Sequence, residues 1–386
     1  MKENAPFVFG KIADTKNFTG REAERKRLRQ NFESLINTII ISPRRWGKTS
    51  LVHSVAQTIM TENKSVKVCV LDIFNVKSEM DFYLSLAQAV LQSTSNKWEE
   101  LAENAKQFLS HLLPKISFSP DSVSEISFGI SWAELDKNVD VILDLAETIA
   151  KAKKVRIVVC IDEFQSINEF ENPLAFQRKL RSHWQKHQHV SYCLYGSKRH
   201  MLLDIFSNPS MPFYKFGDIM FLEKISNIVW ANFIHKRFLE TGKKITKHDA
   251  RMLAQLVENH SYYVQQLAQQ AWLRTDKHCN ESIIMEAYEG IINQLSLLFV
   301  GLIESLGNKQ IDFLKAVVSG ETALSSQEVL EKYKLGTSGN VIKIREALLS
   351  KEIIDVNAQR IVIQDPMFAR WLKKDYFKMR CLISNS

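Results

Sequence analysis

The sequence predicts an α/β fold, a parallel sheet with helices on both faces, followed by a helical lid domain and a C-terminal winged helix. Three observations predict it. Five short β-branched runs alternate with long helical patterns between residues 37 and 222. Strand-like runs then stop at Glu223, and beyond Asn308 three helical patterns precede two short strand patterns.

The five runs are "NTIIIS" (37–42), "VKVCVLDIF" (66–74), "VRIVVCI" (155–161), "VSYCLYG" (190–196) and "DIMFL" (218–222). Continuous apolar runs suit strands buried on both faces, and the spacers are long enough for right-handed crossovers. One insertion breaks the alternation. "PKISFSPDSVSEISFGISW" (114–132) places apolar residues at alternate positions on each side of a Pro-Asp-Ser turn, which predicts a β-hairpin serving as a lid, a docking surface or an edge decoration.

Residues 225–241, 246–258, 261–277 and 281–306 then carry apolar residues at helical spacing. A helix over 309–318, a second opened by Ser325 or Ser326, a third over 338–350 and the strands of "EIIDVNAQRIVIQD" complete the order of a winged helix. A final helix carries Phe368, Trp371 and Leu372. The expected domains are 1–222, with the hairpin insertion, 223–306 and 307–386.

The 386 residues exceed one compact core, and 45% apolar content with few Gly and Pro argues for globular folding throughout. A net charge of +8 favours an anionic partner, whether nucleotide, nucleic acid or membrane surface. The five cysteines form no CxxC pair, and Cys69, Cys160 and Cys193 sit in apolar runs, as expected in a reducing cytoplasm. No signal peptide or membrane span is expected, because the greasiest segment (291–302) is interrupted by Asn293, Gln294, Ser296 and Gly301. No Cys/His cluster has zinc-ligand spacing.

The first strand leads into "ISPRRWGKTS" (41–50), close to the phosphate-loop pattern G-x-x-x-x-G-K-[ST] but with Ser42 at the first glycine. A strand, tight loop and helix start point several backbone N–H groups at one spot, where the helix dipole also favours negative charge. Pro43, Arg44, Arg45, Trp46, Gly47, Lys48, Thr49 and Ser50 form this expected ATP/ADP-binding loop. Gly47 lets the backbone approach phosphate, Lys48 supplies a point charge and Thr49 offers a hydroxyl to Mg²⁺. Ser42 can take the place of glycine if its φ stays negative, at a cost of about 1 kcal/mol.

"VVCIDEFQ" supplies the second half. Asp162 ends an apolar strand as the expected Mg²⁺ ligand, and Glu163 is the expected acceptor of a proton from attacking water.

"NFTGREAERKRL" (17–28), "PRRWGKTSL" (43–51), "IDEFQ" (161–165) and "YGSKRHML" (195–202), in that order, resemble the prokaryotic "archaeal ATPase" family of P-loop proteins, within the AAA+ and STAND-like group. The resemblance implies an ATPase in which Phe18, Thr19, Gly20 and Arg21 flank the adenine and Ser197 senses the γ-phosphate. Thr19 also reads as a helix N-cap. Where the family often carries an arginine before the last strand, "PFYKFG" (212–217) has only Lys215, which lacks the planar fork of an arginine finger. "ENHSYYVQQ" (258–266) matches the tail of the family's nucleotide-sensing stretch, placing Ser261 and Tyr262 beside the nucleotide, or in the packing of a helix.

Arg178, Lys179, Arg181, Lys186, Lys198 and Arg199, with four histidines and no acid over 178–200, read as a phosphate-backbone track with Trp184 as a stacking platform, or as a solvated helix. In the winged helix Lys343, Arg345 and Lys351 face Glu346 and Glu352, a modest basic bias toward double-stranded DNA. A protein partner or a homo-oligomer is the other expectation. The functional expectation is a slow ATPase whose nucleotide state drives a domain rearrangement. The alternative is a nucleotide-gated switch or DNA-binding regulator with little turnover. The domain order is also similar to that of origin-recognition-like DNA loaders.

Overall fold

The apolar run Thr38–Ile41 (β1) is buried along its whole length, as a strand covered on both faces must be. The computed structural model describes residues 6–13, 17–95, 97–109, 138–357 and 360–379. The hairpin expected at 114–132 lies outside the described residues. The chain divides into two compact units, Arg21–Glu223 and a second made of Met1–Gly20 with Lys224–Ser386.

In the first unit α1 (Glu22–Glu33) precedes β1. There follow α2 (Lys48–Glu62), β2 (Val66–Asp72), α3 (Glu79–Ser93), α4 (Trp98–Leu109), α5 (Val139–Leu143), α6 (Leu145–Lys153) and β3 (Arg156–Asp162). A 3₁₀ turn (Phe164–Glu169), α7 (Pro173–Trp184), β4 (Val190–Gly196), α8 (Arg199–Ser207) and β5 (Asp218–Phe221) complete it. The five strands expected from the sequence all form, in one parallel sheet ordered β2-β3-β4-β1-β5.

Alternate residues of each strand serve opposite faces. Ile39, Ile41, Leu71, Val159, Ile161 and Leu194 share a core with Phe82, Phe176, Trp184 and Phe206 of the helices on one side. Leu51, Val52, Val55 and Ile59 of α2 form a buried stripe at helical spacing. Because every strand runs the same way, the C-terminal ends of β1, β3 and β4 emerge on one edge, with Ile41 level with Gly196.

The second unit holds α9 (Asn227–Glu240), β6 (Lys244–Ile245), α10 (Lys247–Leu256), α11 (Ser261–Arg274), β7 (His278–Cys279) and α12 (Glu281–Glu304). Two residues per strand are too few for a periodicity signal, so the β6–β7 pair is legible only in the structure. Then come α13 (Asn308–Val318), α14 (Gln327–Lys332), α15 (Ser338–Ser350), the antiparallel pair β8 (Ile354–Asn357) and β9 (Arg360–Ile363), and α16 (Pro366–Trp371), the order of a winged helix. Side chains of Ser226, Thr246, Asn280, Ser326, Thr337 and Asp365 accept first-turn backbone N–H groups and start six of these helices.

One hydrophobic core runs from Trp230 and Leu267 through Phe299 to Phe368 and Trp371, across the border expected at 306/307. Residues 6–13 and 17–20 differ from the expected 1–222 grouping. Phe7 is buried against Phe233 and Phe238, and Arg237 donates to the Pro6 carbonyl, so this segment packs with α9. By length and composition α12 is apolar enough to cross a membrane. Its Ile284, Ile291, Ile292 and Ile303 lie in the core, whereas Leu297 and Leu298 are exposed.

Gly217 sits where a Cβ would lie 2.2 Å from the Asn37 carbonyl oxygen, a backbone atom that cannot swing away. Gly217→Ala therefore pushes β5 from β1, and the expected loss is about 3 kcal/mol, read as a lowered unfolding transition of the sheet unit by calorimetry.

Candidate functional site

The edge formed by the ends of β1, β3 and β4 gathers the polar residues that an apolar sheet core excludes. After Ile41 the chain turns through Arg45 (φ 64) and Gly47 (φ 94) before α2 begins at Lys48. Ser42 is not among the positive-φ residues, which explains why a serine is tolerated at the first loop position. The left-handed turns fall at Arg45 and Gly47 instead. Ser42 is buried and its hydroxyl donates to the Pro43 carbonyl. Lys48 is also buried, with its ammonium 3.4 Å from the Ser42 oxygen and 3.3 Å from the Pro43 oxygen, so its charge lies across the mouth of its own loop.

Thr49 and Asp162 meet from 113 residues apart: the Thr49 hydroxyl donates to Asp162 Oδ2 at 2.7 Å. The Glu163 amide closes on Asp162 Oδ1 at 2.8 Å. Burial pushes the Asp162 carboxyl up to about 6, opposed by the Thr49 hydrogen bond and by Lys48, while the negative charge of Glu163 adds to the rise.

Glu163 takes a left-handed backbone (φ 54) at the strand end. Its Oε2 accepts from the Ser197 amide at 3.2 Å, from the Ser197 hydroxyl at 2.9 Å and from the Gln165 side-chain amide. Lys48, Thr49, Asp162, Glu163 and Ser197 are therefore brought together. A hydroxyl and a carboxylate 2.7 Å apart form a hard-oxygen pair of the kind Mg²⁺ takes alongside phosphate oxygens and water, so the donor set fits that ion.

Comparison with known proteins bears on this edge. Residues 46–176 match a family model described as the KAP family P-loop domain, and residues 297–374 match one described as a probable winged helix domain. The chain has a P-loop NTPase fold. A Walker-type ATPase of Pyrococcus abyssi is similar over 95% of this chain and 99% of its own, with 15% identity and a TM-score of 0.65. The ORC2 protein of Aeropyrum pernix is similar in its ADPNP–ADP complexes (13% identity, 94% of each chain, TM-score 0.57). Its ADP form is similar over 95% of this chain and 96% of its own, with 14% identity and a TM-score of 0.52. No curated protein matches the sequence. These likenesses concern the fold, and they support the archaeal-type P-loop ATPase resemblance that the motifs carry.

The remaining expected residues fall in different places. Arg44 and Arg45 are exposed on the loop, and Trp46 and Ser50 are half-buried. Arg21 is buried, donates to the Trp46 carbonyl at 3.0 Å and pairs with Glu24 at 3.0 Å, so it braces the P-loop against α1. Thr19 does not cap α1. The helix begins after Arg21, which takes a left-handed backbone and leaves no side-chain cap.

Phe18 and Thr19 belong to the second unit. There they line a groove of about 670 Å³ with Val229, Asn232, Phe233, Lys236, Arg237 and Glu240. Gly20 approaches Ile225 and Val229 so closely that an added Cβ would lie 3.1 Å from Ile225. Asn17 is held by one residue the motifs did not signal, Arg237, which donates to its side chain, and by Gln265, which donates to its carbonyl. Ser261 opens α11, and Tyr262 packs edge-on against Phe9 at 5.8 Å.

The basic stretch 178–200 is corrected by the structure. Trp184 is no platform, being 1% exposed and stacked on Tyr192 at 4.0 Å. His183 and His187 contact Asp144, and His189 contacts Glu147, so acids from α5–α6 neighbours meet the histidines. Arg181 lies over the Phe216 ring at 4.7 Å. Arg178, Lys179 and Lys186 stay exposed. Lys215 is exposed beside the Tyr214 ring.

The raised Asp162 carboxyl sets a pH dependence. An unfolded aspartate titrates near pH 3.9, so between about 4 and 6 the folded state holds an extra proton and stability falls as pH rises, by up to about 3 kcal/mol. Without magnesium, Asp162→Asn should melt higher than wild type at pH 8 and lose that advantage near pH 4, as read by thermal unfolding across pH.

Proposed function

We propose that this P-loop NTPase binds ATP with Mg²⁺, hydrolyses it slowly, and uses its nucleotide state to drive a domain rearrangement. The observation that carries the reading is the meeting of Thr49, Asp162, Glu163 and Ser197 at one sheet edge beside Lys48. Thr49 and Asp162 would hold Mg²⁺, which when bound neutralises phosphate charge. Lys48 leaves the Ser42 and Pro43 carbonyls to meet the outer phosphates, and the loop amides opened by Gly47 receive phosphate oxygens. Glu163 orients a water and takes its proton. Ser197, now bonded to Glu163, reports the γ-phosphate. Arg21 holds the loop through the Trp46 carbonyl.

A second reading, a nucleotide-gated switch or DNA-binding regulator, is favoured by Lys215, whose ammonium lacks the fork of an activating arginine. Double-stranded DNA is the proposed partner of the winged helix in both readings. On α15 Lys343 and Arg345 are exposed and make no ion pair among the described residues, and Arg178, Lys179 and Lys186 add exposed charge on the first unit. Such contacts bind phosphate backbone and weaken with salt.

Phosphate release by wild type, Lys48→Ala and Glu163→Gln, with and without double-stranded DNA at low and physiological salt, tests this. Both variants should lose turnover by about 100-fold or more. DNA should raise wild-type turnover, more strongly at low salt. Tight nucleotide binding with no release under any condition would sink the hydrolysis reading in favour of the switch.

A further inference from the structure

Gln165 lies two residues beyond Glu163, is 2% exposed, and sits within the 3₁₀ turn that follows β3. Its side-chain nitrogen meets Glu163 Oε2, which fixes which end is which, because a carboxylate accepts only from the N–H end of an amide. Its carbonyl oxygen is buried without a hydrogen-bond partner. That oxygen is pressed on β4: a Cβ added at Gly196 would lie 1.9 Å from it. The Gly196 φ is outside the left-handed region, so the backbone there would accept any residue. Glycine is required by the space that the Gln165 amide occupies.

A buried carbonyl without a partner is costly, and a leucine of similar size would avoid that cost. Filling space under β4 therefore does not account for an amide. Its distinguishing contribution is the N–H aimed at Glu163. With the Ser197 amide and hydroxyl, that N–H gives Oε2 three donors, while Oε1 receives no hydrogen bond among the described residues.

We propose that Gln165 is a positioning residue, seated by Gly196, that ties one oxygen of Glu163 in place and leaves the other free to face the attacking water. The inference rests on the reading of Glu163 as the proton acceptor. The carboxylate is held as a catalytic imidazole is held by its orienting partner: the proton leaves water for Oε1 as the water oxygen bonds the γ-phosphorus, and the bond from that phosphorus to the β,γ-bridging oxygen breaks to release ADP.

The test is steady-state ATP hydrolysis with binding of fluorescently labelled ADP as the folding check. Gln165→Leu should lower kcat about 10- to 100-fold with KM and ADP affinity within about twofold of wild type. Gln165→Glu keeps the shape but sets a second carboxylate against Glu163, so its kcat should fall similarly. Gly196→Ala should lower kcat in wild type and lose most of that effect in a Gln165→Ala background, where only the 3.3 Å approach to the Glu163 Cα remains. Wild-type kcat in Gln165→Leu, or an additive effect of Gly196→Ala, overturns the positioning role. If that happens while Glu163→Gln is inactive, the ATPase reading stands without it. Full activity in Glu163→Gln, or no hydrolysis by wild type, removes both.

Discussion

The hydrogen bond from Thr49 to Asp162 closes two segments 113 residues apart, and the parallel register makes it available. Every strand of the sheet leaves the core at the same edge. Polar residues that cannot sit among Ile39, Val159 and Leu194 therefore collect where β1, β3 and β4 end. An antiparallel arrangement would scatter the same residues to opposite ends. The chemistry of this protein rests on that shared exit.

Burial shapes the charge at the edge. Lys48 and Asp162 are both nearly excluded from solvent. Lys48 rests on two carbonyls, and Asp162 is driven toward its protonated form. Each is thus held in a state that an incoming phosphate and cation would relieve, a general way of preparing a binding site. The cysteines nearby take no part: burial pushes the Cys69 thiol up to about 12.

The second unit follows a different constraint. Its helices share one continuous apolar core with the winged helix, reinforced by Phe299 against Phe368 and by Arg370 reaching Glu289 at 2.6 Å. Tyr263, at the start of α11, donates to Asp365 at 2.5 Å, and the same carboxylate caps α16. Packing of this kind makes the lid helices and the winged helix one folding body, whatever boundary their sequence patterns suggest.

The sequence by itself determined the order of strands and helices, because apolar periodicity is a local property that burial then selects. It also determined the loop and the acid pair, since Gly47, Lys48, Thr49, Asp162 and Glu163 stand in short contiguous motifs. Only the tertiary structure decided that Arg21 braces Trp46, that Trp184 is core, and that acids from α5 and α6 meet His183, His187 and His189. Those partners are remote in the chain, so no local pattern carries them. The same holds for the pairing of Gln165 with Gly196, each of which stands in a different quoted motif. Their relation exists only because β3 and β4 lie side by side, close enough for one amide to fill the space that a missing Cβ leaves.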